Sequence, residues 1–187
     1  MTHLVGAIPT AVIPLCEMLK HPDPAAQVTA ATMLDQLLDP RSIDAFIDAM
    51  GQPAVRDIAV GTLKRLVAIR ERIDDAFNAL RAIEGSSERE EVRMSTVIHL
   101  LGIGRPSVEI LIEYLEDDDW LVREAAADLL GKIADVRAVE PLMKRLEYDK
   151  DTGVKELAIK ALGPIFAGAD GVLFPVLPAD PAHPWTA

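Results

Sequence analysis

The sequence predicts an all-α protein, a right-handed α-solenoid of about five two-helix units. Three observations support this architecture. Apolar anchor residues recur at near-regular intervals, each interval contains two stretches of helical periodicity, and small residues return at one position of the second stretch. The anchors follow one another at steps of about 30 to 35 residues and are Val12, Ile43, Ile73, Val108 and Val139. An ordinary helical bundle does not need such equal steps.

The repeat also appears as a direct self-alignment, because residues 12–39 align with residues 108–135 without a gap. One unit of this length cannot bury its apolar faces alone, so neighbouring units must stack on one another. We therefore predict a repeat domain over residues 1–170. Its units lie near residues 11–42, 43–72, 73–107, 108–138 and 139–170.

Each unit is predicted to contain two helices separated by a polar break. In the fourth unit, apolar residues recur at helical spacing between residues 108 and 115. Asp117 to Asp119 interrupt this pattern, and a second apolar stripe then runs from Val122 to Ile133. An aspartate just before a helix accepts hydrogen bonds from its free N–H groups and suits the positive end of the helix dipole. The residues expected in this role are Asp23, Asp119 and Asp151.

The third unit departs from this pattern in two ways. Ser87 and Glu90 have the spacing of a capping box in place of the single aspartate. The connection at residues 83–87 is also longer than in the other units, which explains the longest step between anchors.

Small residues recur in the second helix of each unit, where they are expected to let paired helices approach closely. These residues are Ala30, Ala59, Ala126 and Ala158, with Thr96 in the third unit.

The C-terminal segment, residues 171–187, is predicted to cap the array. Its prolines, at positions 175, 178, 181 and 184, prevent a sixth hairpin, because proline lacks the N–H donor and clashes with the preceding turn. Terminal units of solenoids need a cover. The residues expected to fold over the last unit are Val172, Leu173, Phe174 and Leu177.

Two short motifs carry a resemblance to a known family. Val-Arg-x-x-Ala-x-x-x-Leu occurs at residues 55–63 and 122–130, and Asp-x-Arg-Ala-Val at residues 135–139 is echoed at residues 39–43. The chain resembles the HEAT-like repeats of phycobilisome-lyase type over about residues 11–170, although Gln27 departs from the basic position of the motif. The resemblance is specific for the fold, since solenoids of this type serve many unrelated roles.

Composition narrows the classes of function. Asp and Glu total 30 against 19 Lys and Arg, a formal charge of −11. This acidic excess argues against a nucleic-acid binder, which gains affinity when Lys and Arg displace counterions. The single cysteine excludes an internal disulfide framework. With no apolar run near the ~20 residues of a membrane span and no basic signal region at the N-terminus, we expect a cytoplasmic protein without a membrane partner.

Catalytic constellations are not evident in the sequence. The resemblance raises iron-dependent hydroxylases that share the repeat, but their His-Glu metal pairs have no counterpart here. It also raises a subunit of a bilin lyase, for which no catalytic residues can be carried over. Cys16 is expected to be a buried thiol, and the aspartates at residues 117–119 and 149–151 to be solvated helix-capping turns. We predict no enzyme activity and no cofactor.

One helix of the third unit is apolar on a face where the other units carry charges or glycine. The outward positions of the second helix are expected to be charged or glycine in units two, four and five, for example Glu124, Asp128 and Gly131. Exposed apolar patches usually mark contact sites. In the third unit the predicted partner-binding residues are Met94, Val97, Ile98 and Leu101. The alternative is that this helix is simply more buried than its counterparts.

The sequence therefore predicts a non-catalytic protein-binding scaffold or adaptor. Its partner is expected to be another protein on the concave face of the solenoid, where the second helices of such stacks usually lie. Self-association through the same residues is possible. The alternative function is a subunit of a bilin lyase or a factor that handles phycobilisomes.

Overall fold

The computed structural model describes residues 8–83 and 86–168, and the described part of the chain is helical without strands. The helices are α1 (Ile8–Met18), α2 (Pro24–Leu37), α3 (Ile43–Ala49), α4 (Arg56–Arg81), α5 (Ser86–Leu101), α6 (Val108–Tyr114), α7 (Trp120–Ile133), α8 (Val139–Tyr148) and α9 (Thr152–Gly168). Short 3-10 turns at Pro40–Ser42, Arg105–Ser107 and Val136–Ala138 precede α3, α6 and α8.

Consecutive helices pack as hairpins, and the second helices of successive hairpins stack on one another. α1 packs on α2, α6 on α7 and α8 on α9, while α5 contacts α7 and α7 contacts α9. The prediction of an all-helical solenoid of helical hairpins is confirmed.

The predicted boundary between the second and third units is not a turn. The second helix of unit two and the first helix of unit three form one continuous helix, α4, of 26 residues. The reason lies at residues 70–72, which are Arg-Glu-Arg and contain no glycine, proline or capping aspartate. The other junctions each contain such a signal, as at Asp39-Pro40 and Gly104.

Because α4 is continuous, it contributes to two separate hydrophobic cores. The first core is formed by buried residues from Val12 to Ala59 and the second by buried residues from Ile73 to Ile165. Within α4, Ala59 belongs to the first core, whereas Phe77 belongs to the second. The helix therefore joins an N-terminal block of hairpins to a C-terminal block.

The predicted helix caps and small-residue positions are confirmed where the structure describes them. Asp23 accepts a hydrogen bond from the N–H of Ala25 at 3.0 Å, and Asp119 accepts one from Leu121 at 2.9 Å. Asp151 accepts from the N–H of Val154 at 3.1 Å. Buried small residues in the second helices are Ala30, Ala59, Thr96, Ala126 and Ala158. The side chain of Ser87 and the proposed cap at residues 171–187 lie outside the described part of the chain.

An ion-pair network, which we call the turn network, joins the turns of the two blocks. Its members are Asp39, Arg41, Arg105, Glu109, Asp135 and Arg137. The Arg137 guanidinium donates to Asp135 within its own turn at 2.9 Å and to Asp39, 98 residues earlier in the chain, also at 2.9 Å. It further donates to Glu109 at 3.0 Å.

The buried carboxylates of the turn network stay ionised because their arginine partners outweigh the effect of burial. Burial raises the pKa of Asp39, but hydrogen bonds from the side chain and backbone of Arg41 and the charge of Arg137 bring it below its usual value. Burial likewise raises the pKa of Asp135, and the same kinds of contact with Arg137 lower it overall.

Glycine and alanine bring α7 and α9 into close contact. A Cβ atom added to Gly131 would lie 2.5 Å from Cα of Ala161, and one added to Gly153 would collide with the carboxylate of Glu124. Both Gly131 and Glu124 are buried. The expectation that these two residues point outward is wrong, because α9 packs directly over this face of α7.

We expect Arg137→Ala to lower the free energy of unfolding by about 1.5–3 kcal/mol, since it removes the charged donor shared by Asp39 and Asp135, which then keep only Arg41 and Arg105 as partners. Arg70→Ala, which removes an exposed pair with Glu113, is the control and is expected to cost about 0–1 kcal/mol. Urea denaturation measures both variants. Similar small losses for the two would show that the turn network does not hold the blocks together.

We expect Gly131→Ala to destabilise the protein, because the added methyl group meets the backbone of Ala161. The matched control is Gly61→Ala in α4, where a Cβ meets nothing within 4 Å. That variant is expected to gain about 0.5–1 kcal/mol from reduced chain entropy. Thermal melts of the two variants should therefore shift in opposite directions, and a gain in both would contradict the close α7–α9 contact.

Candidate protein-interaction surface

Three apolar side chains on one face of α5 are exposed to solvent. Ile98 is 70% exposed, Met94 44% and Leu101 38%. They lie four and three residues apart, so they form one stripe along the helix. We call these three residues the α5 patch.

Val97 does not belong to this patch. Its side chain is only 1% exposed and lies in the second hydrophobic core together with Leu100. The inclusion of Val97 among the predicted contact residues is therefore corrected. The physical reason is the helical period: Val97 is three residues after Met94 but lies toward α7, and α7 covers that side of α5.

Arg93 of α5 makes polar contacts that connect this helix to α7. Arg93 is nearly buried and donates to Glu90 at 2.8 Å. Its guanidinium also lies 3.6 Å from Glu124 and 3.5 Å from Asp128 on α7. The same side chain approaches the sulfur of Met94 at 3.5 Å. One arginine therefore links the patch to the helix beneath it and is surrounded by three carboxylates.

The surface of α4 contains two adjoining depressions. The first has a volume of about 330 Å³ and is lined mostly by apolar side chains: Met50, Val60, Leu63, Lys64, Val67, Ala68 and Glu71. The second has a volume of about 530 Å³ and is lined by Ala68, Glu71, Arg72, Asp75, Ala76 and His99. Because they share Ala68 and Glu71, they form a continuous surface that reaches His99 on α5, the residue that follows Ile98 in the sequence. We call this surface together with the α5 patch the α4–α5 surface.

Arg72 and His99 tie the two helices of this surface together. The guanidinium of Arg72 donates to the carbonyl oxygen of His99 at 2.9 Å and to its ring Nε2 at 3.3 Å. His99 is exposed, and its contact with Arg72 joins the predicted second unit, which ends at Arg72, to the third unit.

Sequence reasoning did not include the α4 part of this surface. Val67 is 53% exposed, and Met50 is also exposed, but neither is among the contact residues predicted from the sequence. A signal was available, because Val67 follows Lys64 by three residues on the same helix face. The predicted turn between units two and three obscures this signal, because it ends the helix close to Val67.

The single thiol of the chain belongs to Cys16 in α1. Burial raises the pKa of the partly buried Cys16 thiol, and the carboxylates of Asp39 and Glu17 raise it further. No group of three or more His, Cys, Asp or Glu side chains within residues 8–83 and 86–168 is arranged to hold a metal ion. None of the described helices is long and apolar enough to cross a membrane alone. The bent pair Glu88–Leu101 and Arg105–Tyr114 meets that test only jointly, with an angle of 116°.

One family model matches a segment of the chain that includes the α5 patch. Residues 79–163 match the family model of HEAT repeats. The match covers less than half of the chain and shows that this segment is similar to HEAT repeats. The match begins in the last turn of α4 and ends in α9, which is the part of the chain that forms most of the second core. It does not distinguish the phycobilisome-lyase type.

HEAT repeats are commonly protein-interaction scaffolds and typically non-catalytic. No curated protein matches the chain. The family thus indicates a general class of function, while the choice of surface depends on the geometry of the described residues.

We expect Glu124→Gln to change how stability depends on pH. Burial raises the pKa of Glu124; Arg93 lowers it, and Asp151 and Glu90 raise it again. A folded-state pKa above the unfolded value stabilises the protein at low pH, and this contribution is lost as pH rises through the folded pKa. Between pH 4, below the ordinary range of a glutamate, and pH 7, the glutamine variant should therefore lose less stability than the native chain.

Urea denaturation at the two pH values measures this effect. The control is Glu91→Gln, an exposed position on α5 that should keep the native pH dependence. An unchanged dependence in Glu124→Gln would show that Glu124 is not the group whose burial opposes ionisation.

Proposed function

We propose that this chain is a non-catalytic protein-binding scaffold whose partner docks on the α4–α5 surface, with the α5 patch at its centre. The observation that carries the proposal is the exposed stripe of Met94, Ile98 and Leu101 on a helix whose opposite face is buried in the core. Exposed contiguous apolar surface on a folded protein commonly marks a contact site. Methionine is frequent on surfaces that adapt to a partner.

The energetic argument is that these side chains are held in place before a partner arrives. α5 is fixed by Val97 and Leu100 in the core and by the Arg93 contacts with α7. A partner that covers the patch does not need to order the helix, so association costs less conformational entropy. Full burial of an aliphatic side chain contributes about 1.5–3 kcal/mol, and the half-exposed residues of the patch contribute a part of that each.

Charges around the surface favour a partner with basic residues beside an apolar strip. Glu71 and Asp75 line the depressions together with the basic Lys64 and Arg72. On α5, exposed Glu91 lies about one turn before Met94 of the patch. The whole chain carries a formal charge of −11. Complementary charge at the rim mainly speeds association and suppresses wrong partners. Binding should accordingly weaken as salt concentration rises.

We expect Ile98→Asp to weaken partner binding at least about tenfold without unfolding the chain, since it places a charge at the centre of an apolar contact. The matched control is Ile47→Asp on α3, which is 53% exposed and belongs to the other block. Partners captured from the native host are identified by mass spectrometry, and the dissociation constant of each purified partner is then measured for the three chains.

Three outcomes decide the proposal. Loss of affinity in Ile98→Asp alone, with native helical content by circular dichroism, supports the α5 patch. Equal affinity in all three chains places the contact elsewhere. Unfolding of Ile98→Asp would show that Ile98 belongs to the core, and the proposal would fail.

The alternative function, a subunit of a bilin lyase or a factor that handles phycobilisomes, stays a prediction from the resemblance alone. It requires association with a tetrapyrrole or its carrier protein. Visible absorbance in the protein purified from its native host tests it directly. The cytoplasmic location and the concave position of the docking face likewise remain predictions from the sequence.

A further inference from the structure

α9 packs on one face of α7, and α9 has an equivalent face of its own. α7 packs on α9, and Glu124 and Gly131 lie against residues of α9. Ala127, one turn from each of them on α7, is buried as well. The contact is close, since a Cβ on Gly131 would overlap with Ala161. These three residues define the seat on which the next helix of the array rests.

The equivalent residues of α9 lie 32 positions later and are all exposed. They are Glu156, Ile159 and Gly163, and a Cβ on Gly163 meets nothing within 4 Å. Ile159 is 56% exposed, whereas its counterpart Ala127 is fully buried. Met143 of α8 is exposed too, while its counterpart Ile112 packs against the second core. The last hairpin therefore presents an open seat with an apolar centre, which we call the terminal seat.

We propose that residues 171–187 of this same chain occupy the terminal seat as an extended segment. The geometry of the connection supports this occupant. α9 ends at Gly168, and Ile159 lies nine residues before that end, which is about 14 Å along the helix. An extended chain covers about 3.1–3.3 Å per residue, so a segment that turns back after Gly168 reaches Ile159 within about five residues.

The composition of the segment fits this position. Three small or polar residues separate Gly168 from an apolar cluster, Val172, Leu173 and Phe174, and this spacing matches the length of chain needed to reach Ile159. Pro175 and Pro178 then prevent a helix and favour an extended backbone. The glycine at position 163 leaves room for a backbone to approach α9 closely. Covalent attachment gives the segment a high effective concentration at the seat, which an independent partner lacks.

The test compares Ile159→Ser in two full-length backgrounds. One background is the native chain and the other carries Val172→Ser, Leu173→Ser and Phe174→Ser. In the native chain we expect Ile159→Ser to lower the melting temperature by about 2–4 °C. In the triple-serine background the same change should have almost no effect, because the contact has already been removed. Ile47→Ser, at a similarly exposed isoleucine on α3, is the control and should have the same effect in both backgrounds.

Sedimentation of the same chains distinguishes the other occupants. A monomer whose Ile159→Ser shift disappears in the triple-serine background supports the proposal. Equal Ile159→Ser shifts in both backgrounds overturn it. A native dimer that Ile159→Ser converts to a monomer, with no effect of the triple-serine change, would also overturn it and would assign the seat to a second copy of the chain.

Discussion

The arrangement of this protein depends on the partly buried guanidinium of Arg137. Its donors reach the aspartate of their own turn and also the aspartate of the first inter-unit turn, 98 residues away in sequence. A buried carboxylate is stable only when it is paired and hydrogen-bonded, so Asp135 and Asp39 both require this arginine or its neighbours. The contact joins the turn before α3, in the N-terminal block, to the turn before α8, in the C-terminal block. The two hydrophobic cores are thereby held together by polar contacts as well as by α4.

The continuity of α4 follows from local chemistry and has consequences for the interaction surface. Helix-forming residues at positions 70–72 carry the chain through a junction where a regular array would turn. As a result Met50 and Val67 from the first block lie on one surface with Ala68, Glu71 and His99, which leads to the patch on α5. A regular turn at this junction would interrupt that surface. The irregular unit is therefore also the unit that carries the candidate site.

Close packing between successive second helices limits which faces remain available to partners. α7 is covered by α5 on one side and by α9 on the other, and even Glu124 is buried there beside Arg93. α5 keeps a solvent-exposed stripe because α4 covers only part of it, and α9 keeps one because it is the last described helix of the stack. The α5 patch and the terminal seat are thus two consequences of the same packing rule, one at an irregular position and one at the end of the described array.

The helical repeat could be predicted from the sequence, as could the helix caps and the small residues at the helix contacts, because these features depend on interactions within a few residues. Asp23 and Asp119 cap their helices as their positions predict, and Ala126 and Ala158 are buried at the equivalent position of two units. Which residues of each helix are covered by neighbouring helices depends on the tertiary structure. Val97 is buried and Ile98 exposed, although both are apolar neighbours in sequence. The pairing of Arg137 with Asp39, the burial of Glu124 and Gly131, and the contribution of Val67 to the surface all depend on contacts between helices distant in the chain. The periodicity of one helix predicts its apolar side, but how much of that side is covered depends on where its neighbours lie.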